Sequence, residues 1–379
     1  MLKLRRPKLI FFVTVDWFFC SHFLGRAIAA REAGYEVLVL TSVNRHGDII
    51  RSAGLRIVPL QISRRSLNPI CALLTLLRIV DVYRNERPDL VHHVALKPIF
   101  LGGLAARIAG CHRVVNAVVG VGYAFTSMHL FARMLRPLLR SGLRLLLSPP
   151  GSRVVFENAD DLKSFTDAGL VCLDNSVLIR GAGVDPNRYQ LSKAAHGLPV
   201  VLLAARLLWD KGIGEFVEAA RTLRHRGVNA RFVVVGERDV ENRACIDHIT
   251  LESWKTEGVV EFWGFRSDIP QILAVASVAC LPSYREGLPK SLLEAMASGL
   301  PCVTTDVPGC REAVRDGDNG LLVPAKNGLA LADAIERLLC NPELARTMGK
   351  RGRERLELEF SAQHVNERTL LLYRDMVEK

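Results

Sequence analysis

Apolar residues along the chain fall into short unbroken runs, separated by segments in which they recur every three or four positions. The first runs are Leu9 to Val15, Glu36 to Thr41 and Leu90 to Val94, and the segments near Leu24 to Ala33 and Pro69 to Glu86 carry the helical spacing. Runs without polar alternation predict strands buried on both faces, and their alternation with helices predicts βαβ units and a parallel sheet. The scheme restarts at Pro199 to Ala204, with a helix near Gly214 to Arg226 and strands at Arg231 to Val235, Val259 to Trp263, Val278 to Leu281 and Cys302 to Thr304. Between the two series, Gly181 to Leu198 breaks the pattern with Gly-Ala-Gly-Val-Asp-Pro and a polar stretch, which places the join there. The expected fold class is α/β with two Rossmann-like, doubly wound domains. Such sheets bind ligands beyond the carboxyl ends of their strands.

A length of 379 residues with 49% hydrophobic composition is enough for two sizeable cores. The nine cysteines are scattered, odd in number and without close paired spacing, which excludes a small disulfide scaffold and a zinc cluster and suits a reducing cytoplasm. Lys3, Arg5, Arg6 and Lys8 before the first apolar run imitate a signal peptide, but Asp16 interrupts the run and no small-residue cleavage site follows. Other apolar stretches are broken by Arg78, Arg136, Arg140 or Arg144, short of the ~20 residues that span a bilayer, so a soluble or peripheral protein is expected. The formal charge of +11 calls for an anionic partner: nucleic acid, acidic lipid or a phosphorylated small molecule.

Candidate chemistry concentrates in Ser283-Tyr-Arg-Glu-Gly-Leu-Pro-Lys-Ser-Leu-Leu-Glu-Ala-Met-Ala, which follows the strand at Val278 to Leu281. Glu286 falls in a strand-to-helix loop with Gly287 and Leu288, a helix opens near Pro289, and Glu294 lies about one turn into it. The uncapped N–H groups and positive dipole end of such a helix seat phosphate. Glu294 is then placed to accept from sugar or ribose hydroxyls, unless Glu286 merely caps the helix and Glu294 is a solvated helix residue. Arg206 and Lys211, just after the strand ending at Ala204, supply the fork-like and point-charge donors that a desolvated diphosphate needs. Asp316-Gly-Asp318 has the Asp-x-Asp form used for metal by some transferases, but Arg315-Asp-Gly-Asp-Asn-Gly is dense in turn formers and reads as a surface turn. No metal and no cofactor are expected.

The spacing of Glu286 and Glu294 within Glu-Gly-Leu-Pro and Leu-Glu-Ala-Met-Ala resembles the signature of glycosyltransferase family 4. Ala205-Arg-Leu-Leu-Trp-Asp-Lys-Gly-Ile, Gly181-Ala-Gly-Val-Asp185, Phe262-Trp-Gly-Phe265 and Asp318-Asn-Gly-Leu-Leu-Val-Pro324 resemble further segments of that family. The resemblance implies the GT-B fold, two Rossmann-like domains facing across a cleft. Residues 1–185 would hold the acceptor and residues 186–359 the donor, with 360–379 packing back on the first domain. It also implies a retaining transfer from a nucleotide diphosphate sugar, with uridine as the base. Glu286, Arg206 and Lys211 would carry catalysis, and Phe265, Gly287, Leu288, Pro289 and Glu294 would join them in holding the donor. No protein nucleophile is assured, since in the mechanism usually considered the acceptor attacks on the leaving-group face and a donor phosphate oxygen takes its proton.

Within the N-terminal half, Asp89-Leu-Val-His-His-Val-Ala-Leu-Lys-Pro98, Gly102-Gly-Leu-Ala-Ala-Arg-Ile-Ala-Gly110 and Gly120-Val-Gly-Tyr-Ala-Phe125 resemble members that build capsule, O-antigen or lipid-linked oligosaccharides. A polyprenyl-diphosphate-linked acceptor follows from that resemblance. Arg113-Val-Val-Asn-Ala-Val-Val-Gly120 offers none of the histidine that faces the donor sugar in several members. Acceptor-side candidates are Asp16 and His22 in the first strand-to-helix loop, His92 and His93 at a strand end, and Lys97 at a helix start. From Thr126 to Ser148, His129, Arg133, Arg136, Arg140 and Arg144 recur at spacings of three or four beside Leu130, Met134, Leu138 and Leu145. That basic amphipathic stripe suits an anionic leaflet and predicts a cytoplasmic protein peripheral on the inner face of the membrane. No recognised nucleic-acid module appears, so nucleic acid is not an expected partner. The competing readings are a sugar-nucleotide epimerase of the same fold and a catalytically silent nucleotide-sugar-binding protein.

Overall fold

The unbroken apolar runs are central strands of two parallel sheets in a computed structural model that describes residues 5–62, 64, 68–120, 140–192 and 197–378. Its contacts divide the chain into two units, Met1–Ala182 with Val365–Lys379, and Gly183–His364.

In the first unit the sheet runs β3-β2-β1-β4-β5-β6-β7, formed by β1 Lys8–Val15, β2 Glu36–Ser42, β3 Arg56–Pro59, β4 Leu90–Val94, β5 Val114–Val118, β6 Ser152–Phe156 and β7 Ser176–Leu178. Every pairing is parallel. Strand β1 shows why its sequence lacks alternation. Leu9, Phe11 and Val13 enter one core layer while Ile10 and Phe12 enter the layer on the opposite face. The helix Ala362–Glu378 contributes Val365, Leu372, Tyr373 and Met376 to the first of these layers.

The second sheet runs β10-β9-β8-β11-β12-β13, formed by β8 Val200–Ala204, β9 Arg231–Val235, β10 Glu261–Phe262, β11 Val278–Leu281, β12 Cys302–Thr305 and β13 Gly320–Val323. All its pairings are parallel too. Strand β8 sends Val201 and Leu203 to one face and Val200 and Leu202 to the other. Strand order reverses between β1 and β4 in the first unit and between β8 and β11 in the second. Loops leaving two such neighbours depart to opposite faces and open a crevice, the usual ligand position in this architecture.

Two expectations change, and one falls largely outside the described residues. Asp16 to His22 is not a loop but the helix Asp16–His22, continuing from β1 without a connecting turn. The strand expected over Val259 to Trp263 shortens to Glu261–Phe262. Of the basic stripe, residues 126–139, with His129, Arg133 and Arg136, lie outside the described residues, as do Val121 to Phe125. Residues 140–147 are helical, with Leu143 and Leu147 buried and Arg140 and Arg144 exposed. Among the described residues no helix is long and apolar enough to cross a membrane.

Candidate active site

Three loops meet at the switch point of the second sheet because glycines allow their backbones to touch. Gly212, at φ 72°, follows the short helical turn Trp209–Lys211 after β8, and a Cβ there would lie 2.1 Å from the carbonyl oxygen of Pro282 after β11. Gly309, at φ 80° after β12, would place a Cβ 2.5 Å from the carbonyl oxygen of Gly287. Only glycine tolerates both the left-handed backbone and the proximity. The loop after β11 is held further by Glu286 N–H donating to the Pro308 carbonyl at 3.1 Å and by the Thr305 hydroxyl donating to the Ser283 carbonyl.

This convergence brings Lys211 from one side of the switch point to Glu286 on the other. Lys211 Nζ lies 2.5 Å from Glu286 Oε1, and the Ser283 hydroxyl donates to the same oxygen at 2.5 Å. Glu286 therefore holds a lysine rather than capping the following helix. That helix, Lys290–Ala297, begins after Pro289 with no side-chain cap, so its first N–H groups are not occupied by a capping side chain. Arg206, two residues past β8, donates to Asp239 Oδ2 at 2.6 Å. Asp239 arrives on the loop after β9, where a Cβ on Gly236 would meet the Ala205 carbonyl oxygen at 1.9 Å. Glu294 accepts from the Tyr189 hydroxyl at 3.0 Å and lies 3.4 Å from Lys290 Nζ. Leu288 and Pro289 are buried beneath the loop, and Phe265 stands exposed after β10.

Titration follows from burial and charge. Burial raises the Asp210 carboxyl, a shift that Lys211 opposes and Glu286 reinforces. The Tyr189 hydroxyl is raised by burial and by the Glu294 carboxylate. Burial beside Glu286 pushes the Cys310 thiol up to about 12, which removes it as a nucleophile. Arg206, paired with Asp239, and Lys211, paired with Glu286, sit at a strand-end crevice near a helix start without a side-chain cap. A polyanion arriving there finds cations, N–H donors and no need to recruit charge from elsewhere. Asp239, Tyr189 and Ser283 were not singled out from sequence. The loop position of Asp239, four residues past a legible strand, was the available signal.

In the first unit the acceptor-side candidates scatter. Asp16 is fully buried, and its carboxylate accepts from the backbone N–H of Trp17 at 2.8 Å, Asn44 at 2.6 Å and His46 at 2.9 Å, which ties the end of β1 to the loop after β2. His92 and His93 point into opposite core layers instead of presenting an open strand end. His92 Nδ1 lies 2.6 Å from the Tyr373 hydroxyl, and His93 is held by Asn116 Oδ1 and the Tyr83 hydroxyl, both at 3.0 Å. Both rings are buried and serve the packing of β4. His22 stacks on Phe18 with ring centroids 4.3 Å apart. Lys97 is half-buried at the start of the helix Leu96–Ala109, preceded by Ala95 at φ 73°, a conformation costly for a residue with a Cβ. Among these five, Lys97 and His22 remain partly accessible.

Asp316 Oδ1 accepts from Leu322 N–H at 2.9 Å and Asp318 pairs with Arg351 at 3.2 Å, so this Asp-x-Asp segment closes a turn. Among the described residues no three His, Cys, Asp or Glu side chains cluster as metal ligands.

Two parallel-sheet α/β units of this kind define a GT-B protein. A family model described as glycosyl transferases group 1 matches residues 189–355, and one described as glycosyl transferase 4-like matches residues 8–148. The N,N'-diacetylbacillosaminyl-diphospho-undecaprenol alpha-1,3-N-acetylgalactosaminyltransferase of Campylobacter jejuni is 30% identical over 91% of this chain and 92% of that protein. The UDP-Gal:alpha-D-GlcNAc-diphosphoundecaprenol alpha-1,3-galactosyltransferase of Escherichia coli is 26% identical over 83% of this chain and 82% of its own length. Among solved structures, the sucrose-phosphate synthase of Thermosynechococcus elongatus superposes with a TM-score of 0.81 at 21% identity, covering 98% of this chain and 99% of that one. The chain belongs to the family 4 glycosyltransferases.

Proposed function

We propose that this glycosyltransferase moves a hexosyl or N-acetylhexosaminyl group from a UDP-sugar to a polyprenyl-diphosphate-linked saccharide during bacterial surface polysaccharide or glycan assembly, with retention at the anomeric carbon and without metal. The observation that carries this reading is the contact of Lys211 with Glu286 at the β8/β11 switch point, with Arg206 on the same loop after β8 and the start of Lys290–Ala297 left without a side-chain cap. The donor diphosphate takes up the positive charge of Arg206 and Lys211, and Glu286 keeps the lysine aimed at the departing phosphate. Glu294 offers its carboxylate to donor hydroxyls. Gly287, Leu288 and Pro289 shape the phosphate seat, and exposed Phe265 offers a ring face to the base. Catalysis then rests on stabilising the leaving group and positioning the acceptor. The lipid-linked acceptor is supported by the diphospho-undecaprenol-linked sugars on which the Campylobacter jejuni and Escherichia coli relatives act. Such an acceptor calls for an enzyme at the cytoplasmic face of the membrane, on an anionic surface that attracts exposed Arg140 and Arg144.

The deciding experiment incubates the protein with a panel of nucleotide sugars, with and without a polyprenyl-diphosphate-linked saccharide, in excess chelator. Product that needs both donor and acceptor, keeps the donor's anomeric configuration and forms in chelator is the expected result. Isomerised nucleotide sugar without acceptor would establish the epimerase reading, and rescue of a dead reaction by magnesium or manganese would refute metal independence.

A further inference from the structure

The helix Pro69–Glu86 carries two apolar faces, and packing uses only one of them. Leu76, Ile79, Val80 and Tyr83 are buried against the sheet. Beside that buried face, in the first half of the helix, Ile70, Leu73, Leu74 and Leu77 are 68%, 55%, 54% and 55% exposed. These positions follow the i, i+3, i+4, i+7 pattern of a single stripe, and a contiguous exposed apolar patch of this kind marks a surface that protein or lipid covers. The parallel neighbour helix Leu96–Ala109 extends the surface with exposed Leu104 and Ile108, joined to the first by Arg84 donating to the Ile108 carbonyl at 3.5 Å.

Charge selects the occupant. Exposed Arg78 and Arg84 flank exposed Asp81 where the same helix continues, and exposed Arg107 on the neighbour donates to the Leu145 carbonyl at 3.1 Å, next to exposed Arg144, so arginines outnumber the carboxylate around the stripe. An apolar stripe bordered by arginines, on a chain of net charge +11, complements an anionic bilayer, where leucines enter the acyl boundary and guanidinium groups meet the headgroups. The stripe occupies the half of the helix that begins nearest the carboxyl ends of the strands, the edge on which a membrane-held substrate of this unit would arrive.

We infer that the outward face of the first half of Pro69–Glu86 is the surface by which the protein inserts into an anionic lipid leaflet. The inference deepens the membrane placement in the proposed function, and names a face other than the 126–148 segment for it.

The test is sedimentation of the full chain with vesicles of phosphatidylglycerol and phosphatidylethanolamine, against vesicles of phosphatidylcholine alone. Leu73→Ser, Leu74→Ser and Leu77→Ser together should weaken partitioning into the anionic vesicles on the order of a hundredfold, since three inserted leucine side chains are lost. The control Ile249→Ser removes an even more exposed apolar side chain, 84% accessible, from the second unit and should leave partitioning unchanged. The parent should prefer the anionic vesicles and lose part of its binding in high salt. Unchanged sedimentation of the triple variant overturns the inference, as does an equal loss in Ile249→Ser. A parent dimer that the triple variant converts to monomer, with vesicle binding intact, assigns the stripe to a second copy and overturns it too. Calorimetric titration of the parent and triple variant with UDP tests the donor reading separately: absence of binding in both sinks that reading and leaves the vesicle result standing.

Discussion

Glu294 shares a 3.0 Å hydrogen bond with the raised hydroxyl of Tyr189, and this contact changes what a substitution there reports. From sequence, Glu294 reads either as a donor contact or as a solvated helix residue, and neither gives it a part in holding the fold. The structure gives it a second partner. Glu294→Ala should therefore weaken donor affinity and also lower stability by about 1 kcal/mol, because a partly buried hydroxyl loses its acceptor. For a domain of this size that is roughly 2–4 °C in melting temperature. Tyr189→Phe separates the two effects: it removes the same hydrogen bond and should leave donor affinity within about threefold of the parent, well under 1 kcal/mol. Equal loss of affinity in both variants would show that Tyr189, not Glu294, contacts the donor. A second residue-scale consequence concerns acid. Burial pushes His93 down to about 4, only partly opposed by its hydrogen bond to Asn116, and His92 is held well below its ordinary value by burial and the Arg26 charge. An unfolded histidine titrates near 6.5. Between roughly pH 6.5 and pH 4 the unfolded chain binds protons that the folded one refuses. Stability is thus intact above that window and falls as pH drops through it, by up to about 1.4 kcal/mol per pH unit for each histidine. Urea midpoints near pH 7 and near pH 5 should differ less in His93→Gln than in the parent. Identical differences would mean that His93 does not carry the effect.

Elements were legible where burial is symmetric and opaque where it is not. The strands Leu90–Val94, Arg231–Val235 and Val278–Leu281 and the helix Pro69–Glu86 coincide with the ranges read from apolar pattern. For that helix, however, the first half carries a second apolar stripe, Ile70, Leu73, Leu74 and Leu77, beside Leu76, Ile79, Val80 and Tyr83, so no sequence argument chose which stripe the sheet would cover. The segment Asp16 to His22 was read as a loop because Asp16 ends the apolar run. In the folded unit its carboxylate is satisfied by three backbone N–H groups, and the chain turns directly into a helix. Close packing of elements makes a further prediction. Gly102, within the helix Leu96–Ala109, would present an added Cβ 2.6 Å from the His93 ring and 2.8 Å from Phe12. Alanine is normally the better helix residue by about 0.8–1 kcal/mol. Overpacking against two buried rings costs about 1–3 kcal/mol and should win, so Gly102→Ala is expected to be destabilising. Gly25, in the helix Leu24–Glu32 with open space around it, should respond in the opposite direction. Denaturant titration of both variants checks the pair, and stabilisation by Gly102→Ala would show that the helix backs away from β4 at little cost.

At the scale of the whole molecule, the donor-side motifs were readable because their spacing is local. Lys211 and Glu286 were each found from their own segments, but their meeting at 2.5 Å depends on β8 and β11 being neighbours in the sheet, a pairing across 75 positions that no local pattern specifies. Asp239 and Tyr189 were missed for the same reason. The division of the chain makes the last prediction. All the proposed donor contacts lie within Gly183–His364, whereas the other unit is assembled from Met1–Ala182 and Val365–Lys379. UDP should therefore stabilise the second unit selectively, by about 2.7 kcal/mol at a hundredfold excess over Kd. At about 2–4 °C per kcal/mol for a domain of this size, its thermal transition should rise by roughly 5–10 °C. Hydrogen exchange should slow at residues 205–212 and 282–289, where the loops after β8 and β11 carry Arg206, Lys211 and Glu286. Amides of β4 and β5 in the first unit should exchange as before, because their protection reflects core packing that the nucleotide does not touch. If UDP instead protects the strands of the first unit and leaves residues 205–212 and 282–289 unchanged, then the cations at the β8/β11 switch point hold no diphosphate, and the donor site belongs to the other unit.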